Sequence, residues 1–240
     1  MNRTSLLAAV ALAALAGCGD HALNGQPSAE PEVPDPRTVV SFEPLYHLNC
    51  AGCHGERGQG RPALALAAPT YVAYAPDAAI REVIAHGRPG TSMPAFARSA
   101  GGMLSDEQID ALVRGIRAWG NGAPAEPDSP PYAPTAAGDA ERGAGVFRAH
   151  CGSCHGQDGR GGKGGSSITD GAYLALVSDQ SLRTSIVAGR PDLGSPDYRT
   201  AGGSPMSAQD VSDAVAWLAA QRVPVPGQPY PTASVDGSKR

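Results

Sequence analysis

The chain has 240 residues, enough for one large domain or two small ones. It has 31 glycines, 22 prolines and only 5% aromatic residues, so units of under about 100 residues would lack the large apolar side chains for a core, and something else has to fill the interior. The net charge is −4, with seven arginines against seven acids over 41–121 and eight basic against nine acidic groups over 139–222; no basic stripe faces a phosphate backbone, which argues against nucleic acid as a partner.

In chain order, Arg3 precedes an eleven-residue apolar run, Leu6 to Ala16, too short for a membrane span of about 20 residues and suited to an export signal. The run closes in "LAGC", which resembles the bacterial lipoprotein box. On that resemblance residues 1–17 are a signal peptide, Cys18 is lipidated, and 18–40 tether the rest to a membrane; the alternative is ordinary cleavage with Cys18 left as a stray thiol. Cysteine usage fits lipidation. The five cysteines, Cys18, Cys50, Cys53, Cys151 and Cys154, are an odd number in a chain that reads as exported, where free thiols are uncommon.

The next feature is a duplication. Cys50, Cys53 and His54 stand 101 positions before Cys151, Cys154 and His155; further on the offset becomes 102, so that Tyr71 meets Tyr173, "GRP" at 87 meets "GRP" at 189, Phe96 meets Tyr198 and Ser105 meets Ser207. Two units are expected, 41–121 and 139–222. Between them the spacer 122–138 contains five prolines and, if extended, would reach up to about 50 Å at about 3.1 Å per residue. Residues 223–240 form a proline-rich tail, expected to be poorly ordered.

Each unit reads as helical, and the expected class is all-α. Ser41, with Pro44 in the turn that follows, opens a helix into the first cysteine motif, and Asp139 caps the corresponding helix in the second unit. A shorter helix precedes each "GRP", with Ile80, Val83 and Ile84 in one copy and Leu182, Ile186 and Val187 in the other. Ser105 with Gln108 makes a capping box before the stripe Ile109, Leu112, Val113 and Ile116; Ser207 caps its counterpart with Val211, Ala214, Val215 and Leu218.

The twice-occurring C-x-x-C-H carries the chemistry. On a helical turn the thiols at i and i+3 project from nearly the same side, and the histidine follows the second. This spacing suits a flat macrocycle tethered along one edge by two thioethers, with imidazole on its iron, and it is the attachment signal for haem c. Structural zinc would need four close ligands, and each motif has in addition only scattered histidines such as His47, His86 and His150. A thioredoxin-like site would need a βαβ pattern that is absent. Two covalent haems would also supply the missing core.

Here the sequence resembles the class I cytochrome c family, over both units and through the closing helix with "VAWL" at 215–218. The resemblance implies two tandem cytochrome c domains, each wrapped around haem c. Cys50 and Cys53 bind the first haem, with His54 and Met93, from "GRPGTSMPAF", as axial ligands; Met103 is read as packing and His86 as a surface or propionate-side residue. Cys151, Cys154 and His155 hold the second. That unit departs from the pattern: register puts Ser195 where Met93 stands, and the candidate distal ligand becomes Met206, swung over the iron by a loop containing Gly202 and Gly203, against the reading that Met206 packs as Leu104 does. His150 abuts Cys151 on the wrong side to serve.

The expected function is single-electron transfer between redox partner proteins of a respiratory chain by a periplasmic or outer-face protein anchored at Cys18, with no bond-making chemistry. Multiple acylation would be needed for stable anchoring. One alternative leaves the second haem with an open distal position for peroxidase or gas-sensing chemistry, with Arg190 and Asp197 as lining candidates, though surface roles are the plainer reading for both. Another makes the chain a peripheral subunit of a larger assembly.

Overall fold

The structure is a computed structural model and describes residues 35–60, 62–89, 91–121 and 124–223. The signal segment, Cys18, most of the 18–40 tether and the tail beyond 223 lie outside the described residues. Pro36–Thr38 makes one 3-10 turn, with Arg37 paired to Asp35. The described residues from Val39 onward form one compact unit. Among the described residues there is no strand, only two isolated bridges, Ala97 to Leu104 and Arg190 to Ser195.

The first half contains α1 (Phe42–Asn49), α2 (Ala51–His54), α3 (Pro69–Tyr74), α4 (Asp77–His86) and α5 (Asp106–Ala118). The second repeats the order in α6 (Ala140–His150), α7 (Gly152–His155), α8 (Gly171–Leu176), α9 (Asp179–Ala188) and α10 (Ala208–Ala220). The closing helices begin where their caps predict: Ser105 and Gln108, then Ser207 and Asp210, form reciprocal capping boxes that satisfy otherwise orphaned N–H groups. The stripes on α5 and α10 are buried throughout, each fully enclosed side chain contributing about 1.5–3 kcal/mol.

Asp139 caps α6 through the N–H groups of Glu141 and Arg142. Ser41 stands at the N-cap position of α1, but its side chain makes no capping bond. The third helical position, where the donor N–H would be, is Pro44, which has none. The sequence reading passed over α3 and α8, each only six residues long; the signals were Pro69 at the first position of α3 and Asp170, which accepts the N–H groups of Ala172 and Tyr173, before α8.

Arginines tie these short helices to the closing ones. From α5, Arg117 donates to the Val72 and Ala75 carbonyls at the end of α3 and pairs with Asp77 at the start of α4. Arg222, just past α10, does the same for the carbonyls of Leu174 and Val177 and for Asp179. Their separation of 105 positions, not 102, hid the equivalence in the register.

The spacer does not hold the halves apart. Tyr132 packs against the apolar clusters of both halves, its ring 5.3 Å from that of Tyr74, and its carbonyl accepts from the Tyr74 hydroxyl at 3.1 Å and Gln180 Nε2 at 3.0 Å. Arg183 on α9 is 2% exposed; its Nε and Nη2 reach the Pro131 carbonyl at 3.0 and 2.8 Å, and its Nη1 the Ser212 hydroxyl at 3.2 Å. Helix α3 packs against α9, Ala188 joins the first half's core, and Tyr74 joins the second's. The extended spacer was only one of its options, and burial of Tyr132 against two apolar surfaces selects the compact one.

Candidate functional site

Each cysteine motif sits at the same bend. Cys50 ends α1 by donating its N–H to the Tyr46 carbonyl at 2.8 Å, and Cys151 ends α6 on Phe147 at 2.8 Å; the next four residues make the single turns α2 and α7. Tyr46 braces the first turn from beneath, its hydroxyl donating to the Gly55 carbonyl at 2.7 Å. Cys50 is buried and Cys151 partly so, while Cys53 and Cys154 are exposed; all four thiols are free. Burial, and then the neighbouring cysteine, pushes the Cys50 thiol up to about 12 and that of Cys151 up to about 11.

The histidines are oriented identically. His54 Nδ1 lies 2.8 Å from the Leu64 carbonyl oxygen, and His155 Nδ1 lies 2.8 Å from that of Ser166. A carbonyl only accepts, so Nδ1 carries the proton and Nε2 keeps its lone pair, as a metal-ligating imidazole requires. Burial holds His54 below its ordinary pKa; the bond to Leu64 opposes that, and the nearby Arg190 charge adds to it, so the neutral form is favoured. Two thiols and an oriented Nε2, built twice, fit haem c.

Met93 is partly exposed; its carbonyl accepts the Arg88 N–H at 3.0 Å and its own N–H donates to Thr91 Oγ1 at 3.2 Å. In the second half the Arg190 N–H donates to the Ser195 carbonyl at 3.1 Å, so Ser195 takes the backbone place of Met93. Met206 takes that of Leu104: the Leu104 N–H donates to Phe96 at 2.8 Å, and the Met206 N–H to Tyr198 at 2.9 Å. Met206 is 2% exposed and belongs to the apolar cluster of Tyr74, Val187, Tyr198, Ala201, Val211 and Ala214. The structure thus places it with the apolar core. Gly202, read as a swing point, has φ +67° and lies where a Cβ would strike the Ala149 carbonyl; it permits a close approach to the end of α6, held by His150 Nδ1 on the Ala201 carbonyl at 2.8 Å.

Two further placements correct the sequence reading. Met103 does not pack but is 79% exposed. Arg190 is not a surface residue. Its Nε and Nη2 pair with the two oxygens of Asp192 at 2.9 and 2.7 Å, with side chains 19% and 4% exposed, and Nη2 also donates to the Ala63 carbonyl at 3.1 Å. The Asp192 carboxylate lies directly against Gly60. The second half's 190–195 loop is therefore seated on the loop that follows the first half's motif. Nothing in the "GRPD" string announces this, since the partner is a bare backbone. Asp197 is bonded to Arg199, and His86 is exposed beside Glu82.

A helical chain that aims an imidazole Nε2 beside paired thiols is a c-type cytochrome in class. The chain belongs to the cytochrome c family described as cytochrome c oxidase, cbb3-type, subunit III, which matches residues 38–114 and 138–218. It is 31% identical over 152 residues to the cbb3-type cytochrome c oxidase subunit FixP of Azorhizobium caulinodans, covering 59% of this chain and 47% of that protein. It is 30% identical over 152 residues to the cytochrome bc1 complex cytochrome c subunit of Mycobacterium bovis, covering 60% and 51%. A shorter match, 42% identical over 71 residues, is to the dihydro-heme d1 dehydrogenase of Pseudomonas aeruginosa, covering 30% and 13%. The chain spans about half the length of the first two relatives. No helix among its described residues is long and apolar enough to cross a membrane.

Proposed function

We propose that the chain carries two covalently attached haems c and passes single electrons between partner proteins of a respiratory chain. The first haem is held by Cys50, Cys53, His54 and Met93, the second by Cys151, Cys154 and His155. The observation that supports this most directly is the pair of Nδ1-to-carbonyl bonds, at 2.8 Å in both halves, which readies one nitrogen per motif for iron. Bound haem c supplies one-electron exchange at its iron. The protein's part is to fix the imidazoles, favour the neutral form of His54, exclude water with the apolar clusters and hold the halves in one geometry. A thioether from Met93 favours a high potential in the first half. Two relatives named as subunits of respiratory complexes support a docking partner of that kind.

The domain limits 41–121 and 139–222, export by residues 1–17 and a lipid anchor at Cys18 complete the reading, with the protein at the periplasmic or outer face of a membrane. Mass spectrometry of exported protein tests it: two haem adducts on the cysteine pairs and lipid on Cys18 are expected, and unmodified polypeptide overturns the assignment. Stopped-flow oxidation of the reduced protein by a membrane fraction containing a cytochrome oxidase then tests carriage, and no oxidation above the autoxidation rate refutes it.

A further inference from the structure

We infer that the described residues close the second haem site on its histidine side only, and that its distal position takes a small uncharged diatomic ligand. The inference rests on the proposed attachment of haem to Cys151 and Cys154. Its first support is the placement of Ser195, whose backbone bond to Arg190 repeats that of Met93 to Arg88. A serine hydroxyl is a poor iron ligand. It carries two side-chain heavy atoms where methionine carries four, so the space released is the size of a diatomic molecule.

The second support is Met206. A ligating sulfur has to face the metal, yet this side chain is 2% exposed and belongs to an apolar cluster with six other buried residues of the chain. Freeing it would expose a buried apolar side chain and leave a cavity in the cluster that includes Tyr74 and Tyr198. The third support is that the connecting segment is fixed at both ends. Arg190 and Asp192 are seated on Gly60 and the Ala63 carbonyl, and Ala201 is held by His150, so the segment cannot swing as a free loop.

The charge at this loop favours an uncharged ligand. Arg190 is paired with Asp192, so the loop presents no unpaired guanidinium to draw an anion. Ser195 is partly exposed, which gives entry from solvent, and its hydroxyl is available to donate to the outer atom of a bound molecule. Ligands of this class bind ferrous iron by a coordinate bond, with no change in its oxidation state, so binding needs no oxidant or co-reactant.

Carbon monoxide added to reduced holoprotein, with both haems verified by mass, tests the inference. One carbon monoxide per molecule is expected in the Soret difference spectrum. Met206→Leu, which installs the residue of the matching position 104, should leave that stoichiometry and the far-red sulfur-to-iron charge-transfer band unchanged. Ser195→Met should reduce uptake at least tenfold and add a second equivalent of that band. Absence of uptake by the wild type, or loss of charge-transfer intensity in Met206→Leu, overturns the inference; should Ser195→Met not fold, these two results decide it alone. A protein carrying fewer than two haems refutes the proposed function instead.

Discussion

Asp192→Asn tests how firmly the second half is clamped to the first. The substitution keeps shape and volume but removes the negative charge opposite Arg190, so that one of two charge-assisted bonds, at 2.9 and 2.7 Å, faces an amide N–H. Breaking a fully buried pair costs about 3–5 kcal/mol, because the surviving charge is left uncompensated. Arg190 is 19% exposed and keeps its bond to the Ala63 carbonyl, which brings the expectation down to about 2–3 kcal/mol. For a chain of this size that is a fall of roughly 4–12 °C in Tm. The double variant Arg190→Met, Asp192→Asn should recover at least half of the loss, since no unpaired charge remains. Urea denaturation of the holoprotein, followed by circular dichroism and Soret absorbance, measures both. If Asp192→Asn stays within about 0.5 kcal/mol of wild type, or the double variant is worse than the single, the clamp does not act as described.

Three other substitutions have defined outcomes. Met93→Leu should abolish the charge-transfer band of the first haem, lower its potential and add one carbon monoxide per molecule, as potentiometry and difference spectra will show. Arg183→Met should cost about 2–4 kcal/mol, because the Pro131 carbonyl loses its donors, and should quicken proteolysis of the spacer. Asp213 is raised by burial but lowered more by Arg142, the Asp139 N–H and Gln209, so its folded pKa lies below the ordinary 3.8. Its stabilisation is full above that value and lost as pH falls through the lower folded one, so Asp213→Asn should flatten the acid limb of the stability curve, measured by denaturant titration between about pH 2 and 5.

Much of the scaffold was legible because it is written locally. Ser105 with Gln108, Ser207 and Asp139 announce helix starts, and the apolar stripes of α5 and α10 follow from residue spacing alone. Offsets of 101 and 102 exposed the duplication, and hydrogen bonds at Ser195 and Met206 repeat at the second of them. What escaped depends on contacts between distant segments. Tyr132 is one aromatic residue in an aperiodic stretch, Arg183 and Arg190 find backbone carbonyls that leave no side-chain signature, and Arg222 takes over the task of Arg117 from three positions off register. The serine at 195 was plain in the sequence, whereas the burial of Met206 in the apolar core was not.

The wedge of Tyr132 against Tyr74 sets how charge can travel inside the molecule. With both halves locked on the same rings, two haems attached as proposed would exchange an electron at a constant first-order rate, indifferent to dilution.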